Sequence, residues 1–218
     1  MGPLVTNVST LAHELFTARA NRAPIAVAPS ARDGGLDLDT AYGIEAELVQ
    51  LRRASGRRTV GRKVGFANKA MWRVLKLQTL VWAHMYDDTV KYADEGNATL
   101  SIRQMVSARI EPEVVFKLKA TPTPGDAAAT LDAVEWVALG FEIVDCPFPD
   151  WKFQPVDFVA SFGLHAGLAS RRPARRHPAC RSWNGARRAC QPLRRAISLS
   201  TLPPALCSRT SNCTWRCS

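Results

Sequence analysis

"RIEPEVVFKLK", residues 109–119, decides how this chain is read. A β-strand turns alternate side chains to one face, so Glu111 and Glu113 point the same way out of an apolar run made by Ile110, Val114, Val115 and Phe116. Carboxylates so placed repel one another and resist desolvation unless something positive lies between them. A divalent cation meets that need, because hard cations take oxygen ligands and keep positions open for water or a substrate oxygen. Further along, "LGFEIVD", residues 139–145, sets a third acid, Glu142, inside another apolar strand. The plainer alternative is the solvent face of an edge strand, which Pro112 would suit.

Working back toward the N-terminus, "GRRTVGRKVGF", residues 56–66, places Lys63 between Gly61 and Gly65. Backbone can approach a ligand closely there, and a partly buried ammonium is suited to proton transfer. "MYDDTV", residues 85–90, offers Asp87 and Asp88, which alternate in facing if extended; a turn pair is the alternative.

These segments belong to a series of short runs rich in β-branched and aromatic residues, which predicts strands within 58–66, 79–90, 109–119, 134–145 and 156–168. Before them, "STLAHELFTAR" predicts a helix over about 8–21, capped by Ser9 or Thr10, with Leu11, Leu15 and Phe16 at helical spacing. A second helix is predicted from Asp39 as N-cap to a stop at Gly56, with Tyr42, Ile44, Leu48 and Leu51 near one stripe. Asp126 can cap a short helix around 127–135. Helices first and a mostly β body afterwards make an α+β fold.

The formal charge of +10 would ordinarily point to nucleic acid or an anionic surface, but it is unevenly placed. Eleven of the 29 basic residues, all Arg, lie in 169–218, which has no Lys, Asp or Glu; residues 1–168 hold the other 18 against all 19 acids. Five of the six cysteines also lie beyond 169. That tail contains no Val, Phe or Tyr and is expected to be disordered. Its cysteines, 180, 190, 207, 213 and 217, form no C-x-x-C pair, so zinc is weakly signalled. No apolar run reaches the roughly 18 residues that span a bilayer, and the first 22 residues show no signal-peptide core. A cytoplasmic protein without a membrane partner is expected.

The order "GRKVGF…MYDDTV…IEPEVVFKL…LGFEIVD" resembles the 2-keto-4-pentenoate hydratase and 2-oxo-3-hexenedioate decarboxylase family of the fumarylacetoacetate hydrolase superfamily, over residues of about 10–168. The resemblance implies a mixed β-sheet body of the superfamily's C-terminal-domain type. It also implies Mg²⁺ or Mn²⁺ held by Glu111, Glu113 and Glu142, chelating a small 2-oxo acid and acting as a Lewis acid on its enolate. Lys63 matches the family lysine that orients substrate and moves protons. Asp88 matches the acid before the family's usual Met, for which this chain has Thr89, and Asp87 is the other register.

The implied reaction is hydration of a 2-hydroxy-2,4-dienoate. Decarboxylation of a 2-oxo-3-enedioate or C–C hydrolysis are the alternatives; the hydrolases add a His/Glu pair, and none is visible near the N-terminal strands. A second departure is "ASFGLHAGL", residues 160–168, where relatives carry polar residues and this chain has Ser161 and Phe162, with His165 read as a packed core histidine. "CPFPDWKF", residues 146–153, would suit a wall or lid.

Three regions follow: an N-terminal helical region, 1–60; an incomplete catalytic β-body, 61–168; and the tail, 169–218. The family continues through further strands where this chain turns Arg- and Cys-rich, as a GC-rich gene does when read in a shifted frame, so impaired activity is expected. Homo-oligomerisation is expected if the fold is intact. Nucleic acid is not expected as a partner; the reading from another class is a non-catalytic basic protein that binds it through the tail.

Overall fold

The computed structural model describes residues 7–94, 97–171 and 212–216. The chain divides into two compact units, interleaved in sequence. Of the described residues, 7–90, 104–109 and 143–167 make the first; 91–94, 97–103, 110–142, 168–171 and 212–216 belong to the second.

Two helices open the first unit, α1 (Val8–Asn21) and α2 (Leu38–Ala54). Their caps lie two or three residues ahead of those expected. Asn7, not Ser9 or Thr10, accepts from the Thr10 N–H at 3.0 Å, and Asp37, not Asp39, accepts from the Thr40 N–H at 2.7 Å. A cap must take the N–H two or three positions on, and only Asn7 and Asp37 stand that far back. Leu11, Ala12 and Leu15 of α1 join Ala41, Ile44, Leu48 and Val49 of α2 in one buried cluster.

Strand β1 (Thr59–Gly65) pairs antiparallel with β2 (Val81–Tyr86), the two being joined through a helix that sequence reading passed over, α3 (Lys69–Leu75). Asn68 caps α3, its side chain accepting from the Ala70 N–H. Register places Lys63 opposite Ala83 and Arg62 opposite His84, with an irregularity at Val60.

The expected strand over 156–168 holds only at its end. Residues Pro155–Ala160 form helix α5, a tight turn covers 162–164, and strand β7 begins at His165 and ends at Arg171. Pro155 occupies the first helical turn, where a missing N–H costs nothing, and Gln154 with Asp157 forms a capping box. The run is buried almost all round, which erases the periodicity that separates helix from strand.

The remaining elements are β3 (Val90–Ala93), β4 (Asn97–Ser101), β5 (Ala108–Leu118), α4 (Ala127–Asp132) and β6 (Val134–Asp145). As expected, Asp126 caps α4, accepting from the N–H groups of Ala128 and Ala129. One four-stranded sheet runs in the order β3-β7-β6-β5. Helices with mixed sheets make the fold α+β.

Two described segments fall within the tail expected to be disordered: strand β7 continues through Ser170 and Arg171, and β8 (Asn212–Arg216) pairs antiparallel with β4, with Leu100 and Cys213 as backbone partners. The rest of the expected disorder falls on residues 172–211 and 217–218, outside the described residues. Among the described residues no helix is long and apolar enough to cross a membrane.

Candidate metal centre and candidate catalytic residues

Neighbouring strands β5 and β6 bring the three embedded acids of the second unit together. One carboxylate oxygen from each of Glu111, Glu113 and Glu142 lies within 4.8 Å of the others. Glu111 is exposed, Glu113 half-buried and Glu142 only 3% exposed, so the group runs from solvent into the sheet. Close packing of the strands has a local requirement at Gly140, two residues before Glu142. A Cβ there would meet a Val115 methyl at 2.8 Å and the Ala169 carbonyl at 3.1 Å. Three carboxylates so close repel strongly unless a cation joins them, and oxygens at this spacing suit a hard divalent ion.

In the first unit, β1 inverts the usual pattern of a half-buried strand. Lys63 is turned inward, 9% exposed, while Val60 and Val64 are 53% and 50% exposed. The ammonium of Lys63 lies 5.1 Å from the centroid of the Phe158 ring, a favourable cation–π contact. Gly163, at φ +58, makes room for this chain: a Cβ there would meet Ala83 at 2.7 Å and the Lys63 side chain at 3.2 Å.

Asp87 and Asp88 occupy the turn after β2 and point to different partners. Asp88 pairs with Arg52 at 2.5 Å and Arg57 at 3.4 Å. Asp87 accepts from the Arg58 backbone N–H at 3.2 Å and from its guanidinium at 3.3 Å, which holds its carboxyl below the usual value, the backbone bond contributing most. Each acid is thus in an arginine ion pair.

The two departures from the family pattern, Thr89 and His165, turn out to be partners. His165 is 1% exposed and its Nε2 lies 2.9 Å from the Thr89 hydroxyl. That hydroxyl donates to the Tyr86 carbonyl at 2.9 Å, so its oxygen receives the Nε2–H, and the ring proton sits on Nε2. The packed reading of His165 is the one the structure supports.

Several polar residues were not found from sequence. Glu45, 4% exposed on α2, takes both the backbone N–H of His84 at 3.1 Å and its Nδ1 at 2.8 Å on one oxygen. A His/Glu pair therefore exists where none was visible, because its members are 39 residues apart and lie on different elements. Asp157 is fully buried and accepts from Ser30 N at 2.8 Å, Ser30 Oγ at 2.5 Å and Gln154 N at 2.8 Å. Asp145 accepts from the N–H groups of Val106 and Ser107. The "CPFPDWKF" segment is only partly available as a lid, since Cys146 and Phe148 are buried in the core of the first unit.

The chain is similar to several curated enzymes. It is 34% identical over 127 residues to a 2-hydroxyhexa-2,4-dienoate hydratase of Comamonas testosteroni, covering 57% of this chain and 48% of the relative. It is 31% identical over 157 residues to a 2-hydroxypent-2,4-dienoate hydratase of Pseudomonas putida, covering 71% and 69%. It is 30% identical to a 4-oxalocrotonate decarboxylase of a Pseudomonas species, covering 62% and 52%. The chain thus spans about half the length of two of these relatives. A solved structure of a 4-oxalocrotonate decarboxylase from Pseudomonas putida G7, complexed with magnesium and adipate, shares the fold at TM-score 0.65 and 20% identity, over 75% of this chain and 61% of that one. A scan against protein-family models gives no match. By its identity over more than two thirds of a curated hydratase, the chain belongs to the 2-keto-4-pentenoate hydratase and 2-oxo-3-hexenedioate decarboxylase family of the fumarylacetoacetate hydrolase superfamily.

Proposed function

We propose that this polypeptide carries the metal-binding and proton-handling part of a hydratase that adds water to a 2-hydroxy-2,4-dienoate, a small 2-oxo acid in its enol form. The observation that carries the reading is the gathering of Glu111, Glu113 and Glu142 within 4.8 Å. Their donor set is all carboxylate, which suits Mg²⁺ or Mn²⁺; a solved relative of the same fold is complexed with magnesium and another with calcium. When bound, such an ion supplies a Lewis acid for the substrate's oxygens.

The chain's own residues do the remaining work. Glu142, in the sheet interior, fixes the inner ligand position, and Glu111 and Glu113 hold the outer ones. Lys63, turned inward on β1 beside Phe158, is the group that orients a substrate carboxylate and moves a proton. Asp88, ion-paired with two arginines, serves as the second acid by positioning. Decarboxylation of a 2-oxo-3-enedioate is the second reading, supported by the decarboxylase relatives. Glu45 and His84 offer less support for C–C hydrolysis, because a single Glu45 oxygen serves both the ring and the backbone of His84. Exposed Ile110, Phe116 and Leu118 on β5 support a homo-oligomer.

The test is Mg²⁺- or Mn²⁺-dependent loss of the ultraviolet absorbance of 2-hydroxypenta-2,4-dienoate. It is run beside a Glu111→Ala, Glu113→Ala double variant. Weak turnover that the variant abolishes is the expected result. Folded protein that binds the metal through these glutamates without turnover would shift the reaction to another 2-oxo acid. Turnover untouched by the double variant would overturn the assignment of the ligands.

A further inference from the structure

A cleft in the first unit takes no part in the chemistry above. Leu15 and Arg19 of α1, Ile25, Asp145, Ser161 and Phe162 are among the residues that line it, and its open space, mouth included, is about 410 Å³. Its lining carries a polar group without a partner among the described residues. The hydroxyl oxygen of Ser161, a residue 6% exposed, is buried and has no hydrogen-bond partner among them. Buried hydroxyls are nearly always bonded, so this one has a donor and two lone pairs to offer to whatever enters.

Arg19 supplies the charge. Its guanidinium lies 4.7 Å from the centroid of Phe162, and among the described residues no carboxylate is within ion-pair distance of it. Asp145, the one acid among the described lining residues, already accepts from Val106 and Ser107. Desolvation, helped by the nearby Arg52, lowers Arg19 to about 10, which leaves it charged at neutral pH. Asp145 and Asp88 act on it electrostatically without a direct ion pair, and a partly desolvated cation is further stabilised when an anion joins it directly. Phe162 is itself held at φ +57, in the left-handed region that an aromatic residue seldom adopts. Such strain persists only where the surrounding structure imposes it, often at ligand sites.

We propose that this cleft binds a small aliphatic monocarboxylate. Its oxygens are received by the Arg19 guanidinium and the Ser161 hydroxyl, and its alkyl end lies against Leu15 and Ile25. The proposal rests on first-unit residues alone and stands whether or not the metal reading holds. A planar carboxylate suits the fork of N–H donors on Arg, and the apolar lining favours an alkyl tail over inorganic phosphate.

The experiment is calorimetric titration of the full chain with butyrate in the presence of a chelator. Butyramide and inorganic phosphate are the comparison ligands. Saturable butyrate binding is expected, with no butyramide binding and weaker phosphate binding. Arg19→Met should weaken it by about tenfold or more and Ser161→Ala by about threefold, the ranges for losing a charged and a neutral hydrogen bond. If Arg19→Met fails to fold, Arg19→Lys, which keeps the charge and loses the fork, should still weaken binding severalfold. The Glu111→Ala, Glu113→Ala variant should bind butyrate as the parent does. Absence of saturable binding, equal affinity for phosphate, indifference to both Arg19 and Ser161 substitutions, or loss in the glutamate variant would each overturn the proposal.

Discussion

Asp157 and Asp145 in the first unit direct their oxygens at N–H and O–H donors close by: Ser30 and Gln154 for the former, Val106 and Ser107 for the latter. Glu111, Glu113 and Glu142 in the second unit bring their oxygens within 4.8 Å of one another instead. Either arrangement puts carboxylates in or beside an apolar interior, yet the consequences differ. An acid surrounded by donors ties elements together, because its charge is stabilised by the very groups it positions. Acids that face each other present several oxygens to one point, which suits a hard cation, so the second arrangement is a candidate metal centre and the first a brace.

The sharpest way to break this comparison is Asp157→Ala. It leaves the Ser30 and Gln154 donors without their acceptor inside the first unit, and should cost about 3–5 kcal/mol. Urea denaturation reads it; a loss under about 1 kcal/mol would mean that Asp157 is no brace. Glu142→Gln should do the reverse. Unfolding in chelator should change little, but the rise in Tm that Mg²⁺ or Mn²⁺ gives the parent should vanish. That rise corresponds to about 2.7 kcal/mol when the metal stands at a hundred times its Kd. A parent and a variant that respond alike to metal would remove Glu142 from the ligand set.

The smallest effect is expected at the surface, where Glu14 takes two bonds from the Arg32 guanidinium at 2.6 and 2.8 Å. The hydrogen bond to Arg32 holds the Glu14 carboxyl below its usual value. A carboxyl lower in the folded than in the unfolded chain stabilises above the unfolded value and stops doing so as pH falls through the folded one. Glu14→Gln should therefore cost about 0.2–1 kcal/mol at neutral pH and nothing once the Glu14 carboxyl is protonated in the folded and the unfolded chain alike. Chemical denaturation at the two pH values measures it, and a difference that grows toward acid would contradict the pairing.

What sequence reading reached, and what it missed, follows from the range of the interactions involved. The helices at 8–21 and 127–132 and the strands carrying Lys63, Glu111, Glu113 and Glu142 lie where expected, since each is set by local spacing and capping. The helix at 155–160 falls where the sequence predicts a strand, because a fully buried run shows no period. The bond between Thr89 and His165 spans 76 residues and that between Ser30 and Asp157 spans 127, so no local signal announces either. Both members of the first bond depart from the family pattern, and nothing in the sequence marks them as partners.

By itself the sequence determined the α+β class, the acids set within apolar strands and the break in composition near residue 169, because alternation, capping and charge content act over a few residues. Only the tertiary structure decided that β5 and β6 are neighbours, and hence that three acids from two segments share one point. It alone decided that a buried serine hydroxyl and an arginine line one cleft. Strand order and helix docking come from burying apolar surface, which is non-directional along the chain and leaves no local mark of which segments will meet.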